Sequence, residues 1–248
     1  MLPVLFVGAC GRWFPAPVPM RSVAYAQPAR PASCLVVFLP GLGDAAEDFE
    51  RLGFVAEVRR RALSVDMIAA NATLGYYARG TFPDRLATDV IAPARARGYQ
   101  QLWLIGMSMG GLGTVYYART HAADVTGLLA LAPYLGDREL IEEIHEHGGL
   151  ASWQAPPRVE ALGEDNYQRE IWRWLQAVTR GQERGPRLYL GYGMSDKLAR
   201  SDELLADALP EDHVFVTGGA HDWKTWKRLL GEFLDDSDFA RGCRAAAR

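Results

Sequence analysis

Six short segments of the chain are mostly apolar, and longer amphipathic stretches separate them. They are Cys34–Leu39, Val65–Ala70 and residues 101–105, 125–131, 187–190 and 213–216. Short apolar runs of this kind predict strands covered on both faces, as in a parallel sheet. Residues 20–25 predict a further strand ahead of them, and the proline-broken residues 27–31 a turn. Between the strands, Phe49, Leu52, Phe54 and Val58 fall at helical spacing. Residues 83–97 predict a helix perturbed at Pro93 and closed by Gly98, and residues 75–81 a loop. Helices are also predicted over residues 201–209 and 226–234. Asp44, with Glu47 three residues on, has the spacing of a helix-capping pair. Strands alternating with helices define an α/β fold, a mostly parallel sheet with helices on both faces.

Residues 137–182 break that alternation. They carry helical patterns, a Pro156-Pro157 turn and three tryptophans, Trp153, Trp172 and Trp174. They read as a small helical insertion over the carboxyl edge of the sheet, or as a helical excursion whose tryptophans pack on the body. The chain thus divides into a lead of residues 1–19, a domain over 20–236 containing the insertion, and a tail of 237–248.

At 248 residues and 49% hydrophobic content the chain is sized for one large domain with a substantial core. A formal net charge of −3 argues against a nucleic-acid partner. The run Arg59-Arg60-Arg61 closes a helical pattern and reads as a solvated helix end. Three cysteines, Cys10, Cys34 and Cys243, are too few and too scattered for a disulfide framework, and Cys34 reads as a small buried hydrophobe. No Cys/His cluster has zinc spacing, and neither a metal nor an organic cofactor is expected.

The candidate chemistry starts at Gly106-Met107-Ser108-Met109-Gly110-Gly111, where an apolar strand turns into a helix. A serine on so tight a turn projects its hydroxyl above the sheet at a helix N-terminus, and glycines on either side relieve the crowding. A serine hydroxyl needs a base, and the base needs a group to fix its tautomer. His221 follows the last strand after Gly218-Gly219, and Asp196 follows the strand before it. All three fall at carboxyl ends of strands, where sites of open α/β sheets gather. Asp196 has a helix-capping alternative, and Asp222 and Asp137 are rival candidates for the acid. An oxyanion would take backbone N–H groups from Met109 and from the Gly41-Leu42-Gly43 loop, most simply at Leu42.

Four segments together resemble the α/β-hydrolase superfamily: Leu39-Pro40-Gly41-Leu42-Gly43-Asp44, the segment around Ser108, Gly193-Met194-Ser195-Asp196, and Gly218-Gly219-Ala220-His221-Asp222-Trp223. The last, with Trp226 following, is similar to a His-Asp-Trp segment of certain bacterial esterases and acyltransferases. The resemblance covers about residues 20–236 and implies a serine hydrolase with Ser108, Asp196 and His221 as its triad. Many members carry His before the oxyanion-loop glycine, where this chain has Pro40. The implied reaction is hydrolysis of a small or medium carboxylic ester through an acyl-enzyme. A thioesterase or acyltransferase would use the same residues, and a non-catalytic binding protein on the same fold is the alternative outside enzymes. Met107, Tyr76, Tyr77 and Trp153 are the expected substrate-binding residues, favouring soluble short-chain esters over emulsified triglycerides. No obligate protein partner is inferred.

The lead has its own reading. Leu2 to Ala9 is apolar and ends Val7-Gly8-Ala9-Cys10, which resembles a bacterial lipobox with Cys10 as the lipidated residue. The proline-rich stretch after it reads as an extended tether. Together they imply export to the cell envelope or periplasm with membrane attachment through Cys10. A short N-terminal strand or frayed terminus on a cytoplasmic protein is the alternative.

Overall fold

The computed structural model describes residues 14–26, 32–61 and 63–244. Cys10 lies outside the described residues. The chain runs β1 (Ser22–Tyr25), β2 (Cys34–Leu39), α1 (Asp48–Arg51), α2 (Phe54–Arg59), β3 (Val65–Ala70), α3 (Leu74–Ala78) and α4 (Phe82–Leu86). A π-helical turn, Ala87–Ile91, leads into α5 (Ala92–Arg95), followed by β4 (Gln101–Met107), α6 (Met109–His121) and β5 (Gly127–Leu131). The second half runs α7 (Arg138–Glu146), α8 (Tyr167–Thr179), β6 (Arg187–Gly193), α9 (Ala199–Ala206), β7 (Val214–Thr217), α10 (Trp223–Asp236) and α11 (Asp238–Gly242).

The strands form one seven-stranded sheet in the order β1-β3-β2-β4-β5-β6-β7. Only β1 is antiparallel, pairing Ser22 with Ala70 and Tyr25 with Met67. Every residue of β2, β3 and β5 is buried, as expected from runs that are apolar except for Asp66 in β3, in parallel strands covered on both faces. Alternate residues of β4 show the two layers. Trp103 meets Phe233 and Phe239 of α10 and α11, with ring centroids 5.8 and 5.2 Å away. Gly106, on the opposite face, lies so close to α6 that a Cβ there would sit 2.1 Å from the Gly110 carbonyl oxygen. The chain visits β2 and β3, then crosses back to place β4 on the other side of β2. The loops leaving β2 and β4 therefore diverge at the carboxyl edge and open a crevice there.

Several local expectations change. The helix expected across Phe49 to Val58 is two helices, because Gly53 adopts φ +89 between them. Pro93 has no N–H and would crowd the carbonyl one turn earlier, and the chain widens into the π turn just ahead of it. The loop expected at 75–81 contains α3. Its Gly75 lies where a Cβ would meet the Phe14 and Pro15 carbonyl oxygens at 2.6 Å. Thr73, Tyr76 and Arg79 donate to the carbonyls of Pro15, Pro17 and Phe14, so the described part of the proline-rich stretch is docked on the body. Asp44 does not cap a helix: α1 starts at Asp48 behind Glu47 without a side-chain cap, and Asp48 Oδ2 accepts from the Ala45 N–H. Arg61 is no solvated end but a tie, bonded to Glu57 on α2 and to Asp235 and the Gly231 carbonyl on α10.

The largest correction concerns the cysteines. Cys34 and Cys243 form a disulfide across a sequence separation of 209. The described part of the tail after α10 is folded: α11 turns it under the amino edge of the sheet, where Ser64 N–H donates to the Cys243 carbonyl at 2.7 Å.

Candidate active site

β4 delivers Ser108 at its carboxyl end with φ 54 and ψ −117, a left-handed conformation that a side-chain-bearing residue adopts only under constraint. The constraint is visible. Ser108 N–H donates to the Leu131 carbonyl, and its own carbonyl accepts from the N–H groups of Leu112 and Tyr134. Gly110 permits the turn, since a Cβ there would stand 2.1 Å from the Leu39 carbonyl oxygen. Ala132, at φ 41, is a second strained residue beside the elbow.

β6 and β7 deliver the other two groups. Met194 N–H donates to the Thr217 carbonyl and Ser195 N–H to the Gly219 carbonyl, so the two loops are laced together beyond the sheet. Gly193 and Gly219 allow this approach: a Cβ on Gly193 would lie 2.5 Å from the Gly219 oxygen. His221 Nδ1 lies 2.8 Å from Asp196 Oδ1 and 2.9 Å from Oδ2, and its Nε2 lies 2.9 Å from Ser108 Oγ. A carboxylate only accepts, so Nδ1 carries the proton and Nε2 is free to accept the serine hydroxyl. The Asp196 carboxylate is fully buried and also accepts from the Leu198 N–H at 2.9 Å. Trp226 meets the histidine ring edge to face at 4.9 Å.

The rival acids are engaged elsewhere. Asp222 Oδ1 accepts from the Thr225 N–H and caps α10, and that bond holds its carboxyl below the usual range. Asp137 accepts from the Tyr134 hydroxyl and from Gln168 Nε2.

The oxyanion-loop candidates lie beside the nucleophile. A Cβ on Gly41 would come within 3.6 Å of Ser108 Cβ, and Met109 opens α6 directly after the serine. Leu42 projects outward, 62% exposed.

Of the four expected substrate-binding residues, Met107, Tyr76 and Trp153 are placed in the core, and Tyr77 is half-buried against it. Met107 and Tyr76 are fully buried, and the Tyr76 hydroxyl donates to the Pro17 carbonyl. Tyr77 stacks on Phe82 at 4.4 Å, with its hydroxyl pressed against Gly113. Trp153 is buried and donates to Glu143 Oε1 at 2.9 Å. Trp172 and Trp174 are buried too, and Trp172 Nε1 donates to the Leu135 carbonyl. Amphipathic spacing signals that a side chain is buried; it carries no information on which wall the side chain joins. The residue that sequence reasoning passed over beside the serine is Tyr134, whose N–H holds the Ser108 carbonyl at 3.0 Å. Its one signal in the sequence is its place just past the end of the strand beside β4.

The sheet order, the strained serine at the end of the central strand and the three loops converging on it define an α/β-hydrolase fold. Comparison with solved structures agrees. The chain is similar to a fluorophosphonate-binding serine hydrolase, FphF, of Staphylococcus aureus, with TM-score 0.60 and 14% identity over 88% of this chain and 98% of that one. It is similar to an S-formylglutathione hydrolase of Agrobacterium tumefaciens, with TM-score 0.59 and 15% identity over 92% and 90%. Est1E from Butyrivibrio proteoclasticus matches with TM-score 0.56 and 15% identity over 90% of this chain and 96% of that one, and a ferulic acid esterase with TM-score 0.56 and 15% identity over 85% and 86%. No family model matches the chain, and no curated protein matches it.

Proposed function

We propose that the protein is a serine hydrolase that cleaves a carboxylic ester through an acyl-enzyme. The observation that carries this reading is the continuous chain of hydrogen bonds from Ser108 Oγ through His221 to buried Asp196, built on a strained serine. Ser108 Oγ attacks the ester carbonyl carbon as its proton passes to His221 Nε2. Asp196 holds Nδ1–H and stabilises the imidazolium. The Leu42 and Met109 N–H groups take the charge that develops on the carbonyl oxygen. The tetrahedral species collapses, the C–O bond to the alcohol breaks, and the alcohol leaves with the proton from Nε2. Water then repeats the sequence on the acyl-enzyme, releasing the acid and restoring the serine. The esterases among the similar structures support this class.

Ser108→Ala should fold normally, lose essentially all turnover of a p-nitrophenyl ester, and fail to label with a fluorophosphonate that labels the unaltered protein. Turnover at the unaltered rate in that variant rules the reading out.

The Cys34–Cys243 disulfide also supports export, because disulfides persist in oxidising compartments such as the cell envelope. Cell fractionation with intact-mass measurement checks both export and a lipid on Cys10. A soluble, cytoplasmic, unlipidated product excludes both.

A further inference from the structure

Asp44 and Trp223 belong to neither the hydrogen-bonded triad nor the substrate surface, yet each sits on a loop that the chemistry needs. Asp44 closes the loop after β2. Its N–H donates to the Gly41 carbonyl at 3.2 Å, and its carboxylate folds back over Gly41, where a Cβ would meet Oδ2 at 2.8 Å. Trp223 follows His221 by two residues and opens α10. Its indole Nε1–H donates to Asp44 Oδ1 at 3.2 Å. The indole is fixed edge to face against Phe49, Phe54 and Trp226, at 5.3, 5.1 and 5.9 Å. Trp226 is the residue whose ring meets His221. Burial pushes the Asp44 carboxyl above its usual range, and the indole bond works against that shift.

The loop needs such a hold. β2 and β4 are registered to each other as far as Leu39 and Gly106. Beyond that pair the sheet no longer sets the distance from the Leu42 N–H to the serine. Leu42 points outward, and a Cβ on Gly43, at φ +87, would meet nothing, so no side chain anchors the loop at these two residues. Ala46 N–H to Asn71 Oδ1, at 3.3 Å, holds only its far end.

We propose that Asp44 and Trp223 are positioning residues, a clasp that sets the oxyanion loop against the histidine loop. The proposal rests on the esterase reading of Ser108. An oxyanion donor acts on charge that exists only in the transition state, so its displacement lowers kcat and leaves KM nearly unchanged.

The test uses Trp223→Phe, which keeps the aromatic packing and removes the donor, together with Asp44→Ala, Asp44→Asn and the Trp223→Phe/Asp44→Ala double variant. On p-nitrophenyl butyrate, Trp223→Phe and Asp44→Ala should each lower kcat by about tenfold to hundredfold, within the range for a weakened oxyanion donor. KM should stay within about twofold. The double variant should be no slower than the slower single variant, because both changes remove one bond. Asp44→Asn keeps an acceptor oxygen and should recover most of the loss. Hydrogen–deuterium exchange of residues 39–48 should quicken in the two broken-clasp variants, also on a Ser108→Ala background.

A folded Trp223→Phe with unchanged kcat overturns the proposal. So does a lower kcat with unchanged exchange, or additive losses in the double variant. Should Trp223→Phe fail to fold, Asp44→Ala against Asp44→Asn decides on the same readouts. If the unaltered protein neither hydrolyses esters nor takes up a fluorophosphonate, the esterase reading has failed, and unchanged exchange in the Ser108→Ala background separately disposes of the clasp.

Discussion

Asp196 and Asp202 stand six residues apart, just past β6 and in the first turn of α9, and their hydrogen bonding differs. Asp196 receives two donors, His221 and the Leu198 N–H. Asp202 is fully buried, and neither of its carboxylate oxygens has a hydrogen-bond partner. Burial, reinforced by the nearby charges of Asp196 and Glu203, raises its pKa well above the ordinary 3.8. The folded state therefore holds a proton that the unfolded chain gives up once pH exceeds about 4. More protons bound in the folded state means that stability falls as pH rises across that window. Asp202→Asn removes the titration. Its stability relative to the unaltered protein should be level below about pH 4 and should climb above it, by up to about 1.4 kcal/mol per pH unit. Urea unfolding at a series of pH values measures this, and a difference independent of pH refutes it.

At the scale of elements, the insertion is a braced part of the body. Glu170 of α8 is buried between Arg119 of α6 and Arg173, with contacts of 2.8 and 2.7 Å, and it also accepts from the Val159 N–H. Burial opposes its charge, but the two guanidinium groups outweigh burial and hold the carboxyl below its usual range. Gln176 adds bonds to the carbonyls of Leu150 and Trp153. Glu170→Gln leaves buried Arg119, on the helix that follows the nucleophile, without its counter-charge and strips one of two carboxylates from Arg173, which keeps Glu183 at 2.7 Å. It should cost about 3 kcal/mol or more and lower the melting temperature by roughly 10 °C. Thermal unfolding followed by circular dichroism checks this, and an unchanged midpoint contradicts it.

These elements differ in how far the sequence foretold them. β2 and β4 were legible because a strand covered on both faces has to be apolar at every position. The elbow was legible because its glycines answer to backbone collisions that a strand-to-helix turn of this tightness imposes, Gly106 with Gly110 and Gly110 with the end of β2. Ser108, Asp196 and His221 were legible because parallel topology brings the ends of β4, β6 and β7 to one edge. The brace on Glu170 was not, since Arg119 lies 51 residues away and nothing local marks the pair. Nor was α3, where Gly75 reads as a loop residue until the Phe14 and Pro15 carbonyls arrive on its open side.

For the whole molecule, the disulfide and the site occupy opposite edges of the sheet. Cys34 is the first residue of β2, and Ser108 follows the last residue of β4. Two cysteines so far apart in sequence carry no local sign of pairing; α11 and the Ser64–Cys243 bond bring them together. Linking residues across 209 positions removes loop-closure entropy from the unfolded chain worth up to about 5 kcal/mol. Cys243→Ser, or reduction of the folded protein, should therefore lower the melting temperature by roughly 10 °C or more. Turnover of p-nitrophenyl butyrate at 25 °C should stay close to that of the oxidised protein. Equal midpoints under reducing and oxidising conditions would show that the bond stabilises nothing.

The bond also changes what kind of object the chain is. From Cys34 to Cys243 the polypeptide is a closed covalent ring, and Ser108, Asp196 and His221 all lie on it. A protease that nicks one surface loop within the ring opens it but separates nothing. Both pieces stay tied through the sulfurs, and the damage shows as two bands only after a reductant is added.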